Sequence, residues 1–149
     1  MVFDNWETPQ ELVTRLEIEF GKFDLDPCAT KENTKAKNFF TKEQDGLKQK
    51  WFGKVFVNPP YSRGNLEKWT FKAQQEINYN PKVELIIMLL PVRTSTNWFH
   101  KNVLPFAELR FIKRRIKFLR KSLINGKSII SDNVDFYGSM FAIYKNTRR

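Results

Sequence analysis

Val55-Phe56-Val57-Asn58-Pro59-Pro60-Tyr61 is the stretch on which the reading of the fold turns. Three consecutive apolar, β-prone residues predict a buried strand. Two prolines then remove two backbone donors, so the strand cannot continue and the chain must turn away at Asn58. A strand that ends this way places Asn58 just beyond its carboxyl end, where open α/β sheets build their sites. The residues also define what such a site can handle. The Asn58 side-chain oxygen and the Pro59 carbonyl are two neighbouring acceptors, the second held rigid by the adjacent prolines. Aimed at the two N–H bonds of an exocyclic amine, they push its nitrogen toward tetrahedral geometry and stabilise the charge that grows as it attacks an electrophile. Tyr61 offers a flat face on which an extruded base can stack. The structural alternative is a diproline turn with a packed tyrosine.

Working outward, Thr8-Pro9-Gln10-Glu11 predicts a helix start, with Thr8 as cap, Pro9 at the first helical position and Glu11 completing a capping box. Leu12, Leu16 and Phe20 follow at helical spacing, and Gly21 ends the run. Phe23 to Asp26 reads as a short strand stopped by Pro27. Residues 30–50 read as loop, with a short strand near Phe39-Phe40. After the tetrapeptide, Leu66, Trp69, Ala73 and Ile77 share one helical face, closed by Pro81. Val83 to Leu90 is an unbroken apolar run, hence a strand buried on both faces. Trp98 to Leu104 predicts a short helix. From Leu109 the pattern changes to period two, with Ile112, Arg114, Ile116 and Phe118 on one side of an extended chain. Asn125-Gly126 is a strong hairpin signal, and Met140 to Tyr144 reads as the last strand. Strands alternate with helices early and a hairpin comes late. The expected fold is therefore α/β, a mostly parallel sheet with an antiparallel edge and C-terminal hairpin. No linker divides the chain, so residues 1–149 are expected to form one domain.

The composition narrows the class. With 149 residues, 41% apolar and 15% aromatic, the chain can bury a core. One cysteine forms no internal disulfide and one histidine anchors no metal cluster. No membrane span or secretory signal is visible. These features predict a metal-free protein of the cytoplasm. The net charge is +10, and residues 110–127 hold eight cations and no acid. A run of cations is commonly a solvated face. The absence of any acid over this stretch favours a surface that meets a polyanion through Lys113, Arg114, Arg115, Lys117, Arg120, Lys121 and Lys127. Arg93, past a second strand end, is a further candidate for that contact if it faces the same cleft.

The tetrapeptide resembles the N-P-P-Y signature of amino-methyltransferases. Trp6-Glu7-Thr8-Pro9, Leu25-Asp26-Pro27-Cys28-Ala29, Asp45-Gly46-Leu47, Asn58 to Ser62, Leu90 to Thr94 and Trp98-Phe99-His100 occur in order around it. Together they resemble the phage-type DNA N-6-adenine methyltransferase family over roughly residues 4 to 144. The resemblance implies a Rossmann-like fold that uses S-adenosylmethionine and no metal, with DNA as partner. It implies methyl transfer to adenine N6, with Asn58, Pro59, Pro60 and Tyr61 as the reaction centre. It places Thr8 and Pro9 toward the methionine end of the cofactor, with Trp6 also a cofactor-binding position. Asp26, Pro27, Cys28 and Ala29 become the first cofactor loop, and Asp45 an acidic position near the cofactor adenine or the target amine. No glycine-rich turn follows Asp26, a departure from the common methyltransferase pattern. Asp45 reads equally as an Asp-Gly turn. Lys31, Asn33 and Lys35 fall in the polar stretch that could approach the cofactor. Trp98 and His100 read as packing residues. Cytosine N4 methylation, methylation of a protein glutamine amide and an inactive nucleic-acid-binding module are the alternatives. The short interval from Asp45 to Asn58 leaves no room for a separate target-recognition domain.

Overall fold

The structure, a computed structural model, describes residues 7–114, 116–124, 127–134 and 138–147, with 117–124 and 127–134 described as backbone. Its centre is a six-stranded sheet in the order β2-β1-β3-β4-β8-β5. The strands are β1 (Leu25–Asp26), β2 (Asn38–Phe39), β3 (Gly53–Val57), β4 (Val83–Pro91), β5 (Glu108–Phe111) and β8 (Ser139–Lys145). β1 pairs in parallel with β2 and β3, and β3 in parallel with β4. β8 runs antiparallel to both β4 and β5. The antiparallel strand is thus internal, between β4 and β5, where the sequence suggested an edge. β6 (Lys117–Ile124) and β7 (Lys127–Val134) form a separate antiparallel ribbon. Their register places Ile124 opposite Lys127. Asn125 and Gly126 themselves lie outside the described residues.

Alternation along the buried strands sorts the core into two layers. Ile86, Met88 and Leu90 of β4 join Met140, Ala142 and Tyr144 of β8 against helix α2 (Asn65–Tyr79). Leu85, Ile87 and Leu89 join Phe141 and Ile143 against helix α1 (Gln10–Phe20). α2 contributes Leu66, Trp69, Ala73 and Ile77, the face that its sequence spacing predicts. Burying side chains of this size stabilises by about 1.5–3 kcal/mol each. Both faces of the central strands are covered, which is why their sequence is apolar throughout rather than alternating.

Two local expectations are corrected. Thr8 does not cap α1. Pro9 occupies the cap position without a side-chain bond, and Glu11 pairs instead with Arg15 one turn on, at 2.7 Å. The extended run from Leu109 is not continuous either. It breaks after Phe111, where Arg114 adopts a positive φ of 71°, so β5 stays in the main sheet and β6 enters the ribbon. Period two persists through the break because both pieces are strands. The short helix expected over residues 98–104 is present, its middle widened into a π-helical segment at Phe99–Val103. Among the described residues no helix is long and apolar enough to cross a membrane.

Candidate active site

The chain turns sharply at the carboxyl ends of β1 and β3, and a cavity of about 430 Å³ opens there. Asp26 and Asn58, the residues at those two strand ends, share its wall with Thr8, Cys28, Asp45 and Trp69. This is the position at which open parallel sheets take ligands.

Asp26 organises the loop beneath the cavity. It is 4% exposed. One carboxylate oxygen accepts from the Cys28 N–H at 3.3 Å, the other from the Lys35 N–H at 3.0 Å. Burial pushes its carboxyl up to about 7, against the opposing pull of those two N–H bonds and the Lys35 charge. Without a glycine-rich turn, the loop thus takes its shape from a carboxylate that ties down two backbone amides.

Lys35 joins this loop to the N-terminal segment. Its ammonium bonds to Glu7 at 3.1 Å and to the Gln10 side chain at 3.4 Å, and its side chain is only 6% exposed. Glu7 is thereby fixed at the cavity edge, and Thr8 beside it. The Thr8 hydroxyl oxygen is buried with no hydrogen-bond partner among the described residues. A buried hydroxyl left this way is costly unless a ligand satisfies it.

Asp45 contributes a further part of the wall. It sits in the left-handed region (φ 55°) and its side chain accepts from the Leu47 N–H at 3.1 Å. The turn and the cavity wall are therefore one feature, not alternatives. Trp69 forms part of the wall from α2, with Asn65 at the start of that helix.

Of the residues singled out in the sequence, Thr8, Asp26, Pro27, Cys28, Ala29, Asp45, Asn58 and Pro60 line the cavity. Asn33 and Lys35 of the polar stretch do so too, while Lys31 is exposed and away from it. Pro59 is buried and is not among the wall residues. Pro9 is not among the wall residues. Nor is Tyr61, which packs half-buried against the α2 core layer with its hydroxyl donating to the Leu89 carbonyl at 3.4 Å. Trp6 lies outside the described residues. Asn65 and Trp69 join the site without a sequence signal of their own, since each reads locally as an ordinary surface or core position, while Glu7 lies in the Trp6-Glu7-Thr8-Pro9 motif.

The cationic stretch divides. Arg110 is held by Glu19 in a two-pronged ion pair at 2.6 and 2.7 Å and by Glu108 at 3.2 Å. It ties β5 to α1. Lys113 and Arg114 are exposed at the turn after β5. Arg115 lies outside the described residues, and for Lys117, Arg120, Lys121 and Lys127 the backbone alone is described, on the β6–β7 ribbon. Arg93 is half-buried after β4, and its carbonyl accepts from the Thr96 hydroxyl at 2.8 Å. Trp98 is buried, and His100 donates to the Thr94 carbonyl at 2.6 Å.

Comparison with known proteins places this arrangement in a family. The profile of the DNA N-6-adenine-methyltransferase (Dam) family matches residues 1–149. The chain belongs to that family. It is 38% identical over 115 residues to the DNA N-6-adenine-methyltransferase of Escherichia phage T1, an alignment covering 75% of this chain and 46% of that protein. It is 40% identical over 120 residues to the DNA N-6-adenine-methyltransferase of Haemophilus phage HP1, covering 78% of this chain and 66% of that protein. The chain thus spans between about half and two thirds of the length of these curated relatives. The mostly parallel sheet agrees with the Rossmann-like fold that the family resemblance implied.

Proposed function

We propose that the chain transfers a methyl group from S-adenosylmethionine to the N6 amine of adenine in DNA. The observation that carries this reading is the meeting of Asn58 with Thr8 and Asp26 on the walls of one cavity. Family membership supplies the class of reaction.

The residues fit the methyl donor. The unpartnered Thr8 hydroxyl suits a polar group of the ligand. Asp26 and its loop form the floor, and Asp45 and Trp69 offer an acceptor and an apolar surface to a nucleoside. S-adenosylmethionine, when bound, supplies a methyl group already activated by its sulfonium. The protein's part is then positioning and electrostatics. The Asn58 side-chain oxygen and the Pro59 carbonyl accept the two N–H bonds of the target amine. They orient its nitrogen and stabilise the charge that develops on it. The base reaches them flipped out of the helix. Lys113, Arg114 and the cations of the β6–β7 ribbon hold the phosphate backbone.

The test is direct. The protein is incubated with labelled S-adenosylmethionine and unmethylated DNA, and the DNA is digested to nucleosides. N6-methyldeoxyadenosine is the expected product. N4-methyldeoxycytidine, or no methylated nucleoside across varied DNAs, overturns the reading.

A further inference from the structure

Trp51 does not touch the cavity, yet its contacts run to two of the cavity's walls. It is 1% exposed. Its indole N–H donates to the Gly46 carbonyl at 2.9 Å, a fully buried bond. Its ring stacks on Trp69, a wall residue, with centroids 6.2 Å apart and planes 25° off parallel. The far side of Trp51 is anchored to α2. Its backbone N–H donates to Glu76 at 3.2 Å, and its carbonyl accepts from the Asn80 side chain at 2.9 Å. Asn80 also donates to Glu76 at 2.6 Å, and Lys72 pairs with Glu76 at 2.7 Å while lying over the Trp51 ring. Trp51 is therefore fixed before it meets the loop.

Among the described residues, the loop it meets is otherwise hydrogen-bonded within its own neighbourhood, Asp45 N–H to the Thr41 carbonyl at 3.0 Å and Lys48 N–H to the Asp45 carbonyl at 2.9 Å. Asp45, Gly46 and Leu47 form one wall, turned by the bond between Leu47 N–H and the Asp45 side chain. Among the described residues, the Gly46 carbonyl otherwise receives the long bond from Gln49 N–H, at 3.4 Å. On its other side Gly46 presses on the Pro27 carbonyl, where a β-carbon would overlap. Moving this loop by a few tenths of an ångström changes the separation of the Asp45 and Asp26 walls.

We infer that Trp51 is a positioning residue, which through its N–H bond to Gly46 holds the Asp45 wall against the Pro27 loop and so sets the cavity's affinity for S-adenosylmethionine. This rests on the proposed function for the identity of the ligand, but not for the latch itself. Trp51→Phe keeps an aromatic ring and deletes the N–H. Hydrogen exchange of the ligand-free protein reads the latch: the Leu47 and Lys48 amides should lose protection in Trp51→Phe while those of β4 keep theirs. Calorimetry reads the consequence. The Kd for S-adenosylmethionine should rise about five- to tenfold, the weight of one buried hydrogen bond, with kcat at saturating cofactor little changed. If Trp51→Phe does not fold, Glu76→Gln, which loosens the Trp51 backbone from α2, carries the same two measurements with a smaller shift. Unchanged protection at Leu47 and Lys48 overturns the latch. Lost protection with unchanged Kd overturns its role in affinity. Failure of the wild-type protein to bind S-adenosylmethionine refutes the ligand assignment, while the exchange result still decides the latch.

Discussion

Gly46 lies so close to Pro27 that a β-carbon on residue 46 would overlap the Pro27 carbonyl oxygen. Both residues line the cavity, Pro27 from the loop after β1 and Gly46 from the stretch that precedes β3. The obstacle is a backbone oxygen, so a side-chain adjustment cannot relieve it.

Gly46→Ala should therefore destabilise the chain by about 1–3 kcal/mol, the usual range for overpacking. For a domain of this length that corresponds to a melting temperature lower by roughly 3–10 °C. It should also weaken cofactor binding. A thermal melt and a titration measure both, and a variant as stable as the parent would refute the close contact.

Asn58→Ala removes one of the two acceptors proposed for the target amine. Turnover should fall by about 10²–10³ or more, while the melting temperature and cofactor affinity stay near those of the parent. Single-turnover kinetics read the chemical step directly. A variant with full activity would remove Asn58 from the reaction.

Asp26 makes stability depend on pH in an unusual direction for a carboxylate. Burial raises it from 3.8 to about 7, and over that window the folded chain keeps a proton that the unfolded chain has released. Stability should fall as pH rises through the window and level off above it. Asp26→Asn should flatten this part of the profile, with a lower plateau because an amide cannot accept from both the Cys28 and Lys35 N–H groups. Melts of both proteins across the window decide it; parallel slopes would assign the dependence elsewhere.

Cys28 is the single cysteine and lines the cavity half-buried. Alkylation by a maleimide, followed by mass spectrometry, thus reports on one position. S-adenosylmethionine at ~10 times its Kd should slow labelling about tenfold by mass action. Equal rates with and without ligand would place the cofactor outside this cavity.

Arg110 should behave differently from its cationic neighbours. Its charge is committed to Glu19 and Glu108, so Arg110→Ala should leave the salt dependence of DNA binding unchanged. Its ion pairs are about half exposed and should contribute under about 1 kcal/mol. Lys113→Ala or Arg114→Ala should weaken binding and reduce the salt slope by about 1. Binding measured over a salt series separates these cases.

The elements were legible where local chemistry dictates them. The apolar runs of β3 and β4 and the prolines that end them are written in consecutive residues, and Asn58 and Asp26 stand at the cavity because strand ends do. The capping of α1 misled because Thr8 is a good cap by type; here the Glu7–Lys35 pair holds its segment against the cavity instead. The break between β5 and β6 was invisible because both sides of Arg114 keep the same alternation.

The sequence by itself determined where strands stop, which polar residues stand at their ends and which family the chain resembles, because each depends on neighbours within a few positions. The tertiary structure alone decided which distant residues meet. Lys35 reaches Glu7 across 28 positions, and Arg110 leaves the cationic stretch for Glu19 across 91. Trp51 stacks on Trp69 of α2 while its buried N–H bonds the Gly46 carbonyl beside Asp45. Such pairings depend on how the chain is brought back on itself, and no local spacing encodes them.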